Sequence, residues 1–261
     1  METSDRIDYL LRLADNGLVL SQRLSEWTGH GPVLEEDIAL TNMALDLLGQ
    51  ARLLYQHAAT LSDPPVSEDQ LAYFRDAGGF RNLTMLELPN GGVASAGAAE
   101  PDYAFTIVRN FLYAGYALHL WQGLTESADP QLAGIAAKAI KECRYHLRHA
   151  SDWLLRFGDG TEESHQRAQR ALDGLLPYTN EWFADDPLDA AAAAAGFGVS
   201  GQSLRQPWLD TVMPVVSAAT LRWPAGSQFR STGKRGLHSE HLGTLLADLQ
   251  SLARAHPGAV W

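Results

Sequence analysis

Over the first sixty residues apolar side chains return every three or four positions. Leu10, Leu13, Gly17, Leu20, Leu24 and Trp27 fall on one face of a helix expected from about Ser4 to Thr28. A neighbouring stripe of Asp15, Val19, Gln22 and Glu26 leaves Glu26 two placements, inward beside the apolar face or in solvent with Arg23. Gly29-His30-Gly31-Pro32 then breaks the pattern, and the acidic run Glu35-Glu36-Asp37 suits the positive end of a second helix. That helix runs to about Thr60 and carries Leu40, Met43, Leu47, Gln50 and Leu54 on its buried stripe. The break between the two is short, so they are expected to be antiparallel neighbours.

From Leu61 to Ala99 the periodicity is interrupted by Asp63-Pro64-Pro65, Gly78-Gly79 and Pro89-Asn90-Gly91-Gly92. This leaves room only for a short helix near Ser67 to Arg75 inside a long crossover. A third helix, from about Asp102 to Leu124, is apolar almost all round, so its second side must be covered by a further layer of helices or by a partner chain. Asp129-Pro130 starts a fourth, ending at Phe157-Gly158, and the link of a few residues makes these two a second antiparallel pair. Beyond Gly160 shorter helices are expected: Thr161 to Trp182, the alanine-rich Pro187 to Ala195, Ser203 to Leu221 with a kink or break at Pro214, and Ser239 to Ala255. Asp185-Asp186 reads as the cap of the alanine-rich helix.

Two antiparallel helix pairs joined by one long connection predict an all-α fold, a ferritin-like four-helix bundle with additional C-terminal helices. A single domain over residues 1–261 is expected, with the bundle core at about 4–158 and a C-terminal extension at about 161–261. Neither strand alternation nor an internal repeat is visible in the sequence.

Composition narrows the function. The chain carries 31 acidic against 20 basic residues, a formal −11, which disfavours nucleic acid and anionic lipid surfaces as partners. No apolar run approaches a membrane span. The single cysteine, Cys143, excludes an internal disulfide, and the start Met1-Glu2-Thr3-Ser4-Asp5 lacks the pattern of a secretory signal, so a cytoplasmic location is expected.

The candidate chemistry lies in Lys141-Glu142-Cys143-Arg144-Tyr145-His146. In di-metal bundles, Glu-x-x-His on each of two helices projects a carboxylate and an imidazole from one face. Here Cys143 stands three before His146, and Glu142, four before it, is rotated away. Elsewhere, His238-x-Glu240-His241 places two histidines close enough to share zinc, without an obvious third and fourth ligand. Arg230, Lys234 and Arg235 lie in a glycine-containing loop before a helix N-terminus, a geometry able to hold a phosphate such as that of coenzyme A, or to contact a partner. No Ser/His/Asp constellation, nucleotide-binding glycine pattern or CxxC pair is discernible.

Three segments carry a family resemblance: Leu45-Asp46-Leu47-Leu48-Gly49-Gln50-Ala51-Arg52, Lys141 to Arg148, and Gly236-Leu237-His238-Ser239-Glu240-His241-Leu242-Gly243. They resemble the PaaC subunits of bacterial ring-1,2-phenylacetyl-CoA epoxidases, over Leu11 through Trp261. The resemblance implies a structural, non-catalytic subunit of a phenylacetate-catabolic monooxygenase complex that uses NADPH and dioxygen. Its partners would be the di-iron catalytic subunit PaaA, with PaaB and a reductase, and self-association of the chain alone is left open. It further implies that ligands of the sister subunit are replaced here: leucine at Leu47, glutamine at Gln50 and cysteine at Cys143, with only His146 and Glu26 as plausible matches. No cofactor is expected in this chain. The alternative is an independent metal-dependent oxidoreductase with a rearranged site built from Glu26, Glu142 and His146.

Overall fold

The computed structural model describes residues 1–92 and 100–259. Ten α-helices occupy the described residues: α1 (Thr3–Ser25), α2 (Leu34–Leu61), α3 (Glu68–Tyr73), α4 (Thr84–Glu87), α5 (Tyr103–Leu124), α6 (Pro130–Gly158), α7 (Glu162–Leu175), α8 (Pro187–Ala194), α9 (Gly201–Ala218) and α10 (Glu240–Ala255). Among those residues the fold is all-α, and its order of two long helix pairs around a crossover is consistent with a ferritin-like bundle. The chain forms two compact units, one of residues 1–88 with 231–261, the other of residues 89–230. The stretch after Gly160, expected as one extension, is thus shared between them.

In the first unit α1 is buried on nearly every side from Tyr9 to Leu24. Its close approach to α2 depends on Gly17, where a Cβ would meet the Leu47 carbonyl oxygen at 2.9 Å and the Ala51 Cβ at 3.3 Å. Backbone cannot swing aside as a flexible side chain can. Gly17→Ala is therefore expected to lower stability, because overpacking costs roughly 1–3 kcal/mol while the better helix propensity returns only about 1. Gly49, on α2 with nothing within 4 Å of its would-be Cβ, serves as the control. Gly49→Ala should raise stability by about 0.5–1 kcal/mol. Urea midpoints of the two variants should move in opposite directions.

The crossover is more than a connection. Ser67 opens α3 with a reciprocal capping box to Gln70. Further on, Phe80, Leu83, Met85, Leu86 and Leu88 are buried, making this irregular stretch part of the core. Buried irregular backbone needs partners for its N–H groups, and α1 supplies them. The Arg81 N–H donates to Asp15 Oδ2 at 2.7 Å and the Leu83 N–H to Asn16 Oδ1 at 2.7 Å. The last seven residues of the expected crossover, 93–99, lie outside the described residues.

In the second unit Asp102 caps α5 and Asp129 caps α6, with Pro130 in the first turn, as the sequence predicts. The apolar girth of α5 is covered on its further sides by α7 and α9, so a layer of helices meets the need inferred from its composition. Gly115 sits beneath Val212 and Trp208, and the Trp208 indole N–H donates to the Leu112 carbonyl at 3.0 Å. Of the two outcomes expected at Pro214, a kink or a break, the break does not occur: α9 is one helix through both Pro207 and Pro214. Its face of Leu204, Trp208, Val212 and Val216 is buried, and that packing outweighs the two lost backbone hydrogen bonds. Of the two adjacent aspartates, Asp186 caps α8, whereas Asp185 accepts the Gly201 N–H at 2.7 Å at the start of α9.

Candidate functional site

In the first unit Leu47 and Gln50 occupy the inner stripe of α2, with 3% and 5% of their surfaces exposed. Leu47 has no donor atom, and the Gln50 amide is neutral. Glu26 ends α1 as its C-cap, with its side chain 37% exposed and held by Arg23 Nη1 at 2.5 Å. Of the two placements open to it, solvent beside Arg23 is the one adopted.

In the second unit Cys143 and His146 lie on the buried face of α6, 2% and 5% exposed. Tyr113 of α5 adjoins Cys143, and burial, reinforced by a thiolate at that neighbour, pushes its phenol well above the usual range. Glu142 turns toward Lys138 one helical turn away, with an ion-pair distance of 3.8 Å. Two iron ions need several carboxylates beside their imidazoles to balance at least four positive charges. Leucine, an amide, a buried thiol and an arginine-paired glutamate do not fit that requirement. Among the described residues no group of three or more His, Cys, Asp and Glu side chains is placed to hold a metal ion.

The buried carboxylates of the first unit serve another purpose. Asp15 accepts from the Tyr55 hydroxyl at 2.6 Å, from the Arg81 N–H, and from Arg75 through both terminal nitrogens. Burial alone lowers the Arg75 pKa, but Asp15 outweighs it and the net shift is upward; the Tyr55 phenol is raised, by burial first and then by Asp15. Glu87, fully buried, accepts from Asn82 Nδ2 at 2.8 Å, His238 Nδ1 at 2.8 Å and the Ser239 N–H at 2.6 Å. His238 Nε2 donates to the Phe80 carbonyl at 3.0 Å. With Glu87 and the Phe80 carbonyl at its two ring nitrogens, His238 is engaged within the fold and is not presented to a zinc ion.

The basic loop is divided between the units. Arg230 is exposed at the end of the second, whereas Lys234 and Arg235 belong to the first, where Lys234 is only 6% exposed and Arg235 is at the surface. Gly233 is pressed against residues 82–84, its N–H donating to the Thr84 hydroxyl at 3.0 Å, and the Lys234 carbonyl accepts from Arg12 at 3.2 Å. The N–H groups of Arg235, Gly236, Leu237 and Ser239 are likewise engaged within the unit. Sequence reasoning gave Glu87 no role and left Asp15 as one member of a neighbouring stripe. The signal for Glu87 was an acidic residue in the otherwise largely apolar run Leu83-Thr84-Met85-Leu86-Glu87-Leu88, whereas Asp15 sits beside Arg12 and Asn16 in its stretch and carries no such signal.

These features define a protein that is all-helical among its described residues and in which buried carboxylates bind the chain to itself. The chain belongs to the phenylacetic acid catabolic protein family, whose model matches residues 1–261. It is 47% identical over 253 residues, 97% of its own length and 98% of the relative's, to the C subunit of the 1,2-phenylacetyl-CoA epoxidase of Escherichia coli (strain K12).

Proposed function

We propose that this chain is a non-catalytic subunit of an oxygenase that epoxidises the aromatic ring of phenylacetyl-CoA during aerobic phenylacetate breakdown in the cytoplasm. Dioxygen and NADPH are consumed by the assembled complex, with electrons arriving through a separate reductase. The di-iron centre belongs to a sister subunit of the PaaA type, with PaaB as a further component, and this chain holds no cofactor. The observation that carries the reading is family membership, supported by the buried Leu47, Gln50 and Cys143 at positions to which the resemblance assigns the sister subunit's ligands.

A supporting subunit must present a surface for its partner. Along the outer side of α2 and the residue before it, Val33, Leu34, Ile38, Leu45 and Leu48 are exposed. Such a concentration of large apolar side chains is the kind of surface that a partner covers. We assign this stripe to the contact with the catalytic sister chain.

The test is co-expression with a PaaA-type chain, followed by metal analysis of the complex and of this chain alone. Iron is expected in the complex and far below one equivalent in the isolated chain. Stoichiometric iron in the isolated chain would overturn the non-catalytic assignment, and failure to form a complex would overturn the partner assignment.

A further inference from the structure

The exposed side of α6 concentrates positive charge. That one helix holds five of the chain's 20 lysines and arginines and only two of its 31 acidic residues, so in a protein of formal charge −11 it forms a positive island. Lys138, Lys141, Arg144 and Arg148 follow at steps of three, three and four, which puts them on one face. All four are exposed, on the side away from the buried Cys143, His146 and Ala150. Asp152, also exposed, ends the row.

Little within the chain answers these charges. Glu142, on the flank of the row, meets Lys138 at 3.8 Å. Lys141 and Arg144 have no hydrogen bond or ion pair among the described residues, and Arg148 has no carboxylate partner there. Arg170 and Arg205 are likewise exposed and unpaired, but they stand on two other helices, α7 and α9. What sets α6 apart is the row. Like charges three and four residues apart repel and work against the helix that carries them. A face that served stability alone would intersperse carboxylates, as α7 does in pairing Glu163 with Arg167. In the middle of the row stands Tyr145, 39% exposed, with the Arg148 guanidinium 5.7 Å from its ring centre and the His149 ring at 6.2 Å. Tyrosine and arginine together are what the centres of protein interfaces are enriched in.

We propose that this face of α6 docks an acidic helix of another protein, one that carries carboxylates at three- and four-residue steps along the side that meets Tyr145. The row from Lys138 to Arg148 spans about 15 Å at the rise of an α-helix, too long for one phosphate group and matched to about three turns of a facing helix. Packed lengthwise, two helices whose charged rows share a period meet cation to carboxylate, as the flanking positions of coiled coils do. Long polyanions are a poorer match, because the acidic remainder of the chain repels them wherever they extend past the row. This face lies on a different helix from the apolar stripe of α2 and calls for a partner of different chemistry.

The test is a titration of the full chain into a fluorescently labelled, alanine-based helical peptide with four glutamates in one row at these steps, followed by anisotropy. An isomer with the same glutamates spread round the helix is the comparison, and a DNA duplex and phosphatidylserine vesicles serve as competitors. The row peptide is expected to bind saturably, about tenfold more tightly than the spread isomer, and to be released as salt is raised. The double variant Lys141→Glu with Arg144→Glu, which reverses two cations that pair with nothing, should weaken binding by about tenfold or more. Tyr145→Ala should weaken it as well, whereas Arg170→Glu on α7 should leave it unchanged. The charge variants should keep the parent's thermal midpoint, since these side chains are exposed and unpaired. Absence of saturable binding, equal affinity for the two isomers, undiminished binding by the double variant, an equal loss in Arg170→Glu, or displacement of the row peptide by the duplex or the vesicles more readily than by its own unlabelled form would each overturn the proposal. None of these outcomes bears on whether the chain supports a catalytic sister subunit.

Discussion

Glu87→Ala is expected to destabilise the first unit by about 3–5 kcal/mol, the range for breaking a buried ion pair by removing one partner. The variant would leave His238 Nδ1, the Asn82 amide and the Ser239 N–H without the carboxylate they share. Each loss acts where solvent cannot compensate, since Glu87 and His238 side chains are 0% and 4% exposed. Glu87→Gln keeps the shape and one acceptor oxygen but removes the charge, and about 1–3 kcal/mol should be lost. Hydrogen exchange can localise the effect. Amides of α4 and of residues 231–239 should lose protection in Glu87→Ala, while those of the second unit stay as they are. A loss under about 1 kcal/mol would mean that the network is not what holds the C-terminal segment in place.

Leu47→Glu tests the ligand positions from the opposite direction, by returning a carboxylate to α2. At 3% exposure the new carboxylate is buried on the inner stripe of α2. A penalty of about 3–5 kcal/mol is expected near neutral pH, the cost of an uncompensated buried charge. Burial raises the folded-state pKa of such a group above its unfolded value of about 4.3. Between those two values the folded chain binds a proton that the unfolded chain has released, so stability falls as pH rises. The penalty should accordingly be full above the folded-state pKa and should shrink as the solution is acidified toward about pH 4.3. Ferrous iron should not restore the thermal midpoint, because a single carboxylate beside the neutral Gln50 amide on α2 is too few donors for iron. A midpoint that rises with iron would show a latent metal site.

Much of the helical frame was legible in the sequence because its signals are local. Asp129-Pro130 opens α6, Asp102 opens α5 and Gly196, at φ +64°, closes α8, each through chemistry confined to a turn or two of chain. The family assignment followed from three helical segments and was shown by the comparison over the whole chain. Long-range pairing was not legible. Nothing near Asp15 in the sequence announces that Arg75, sixty residues on, will neutralise it, and nothing near Glu87 announces His238. At Pro214 the sequence left a kink or a break open, and the helix stays in one piece because one lost backbone hydrogen bond weighs less than the four large side chains on the buried face of α9. Lys234 misled for the converse reason, since a cation in a glycine-containing loop reads as solvated until the loop is seen packed on residues 82–84.

The first unit is assembled from the two ends of the chain, and that has a consequence for synthesis. Glu87 leaves the ribosome 151 residues ahead of His238, a wait of roughly eight to thirty seconds at ordinary translation speeds. Throughout that interval the nascent helices at the amino end lack the histidine that completes them, whereas residues 89–230 are all available to one another before residues 231–261 are made. A message cut short before codon 238 therefore yields a polypeptide whose buried acid keeps Asn82 but lacks His238 and Ser239, a natural substrate for quality-control proteases.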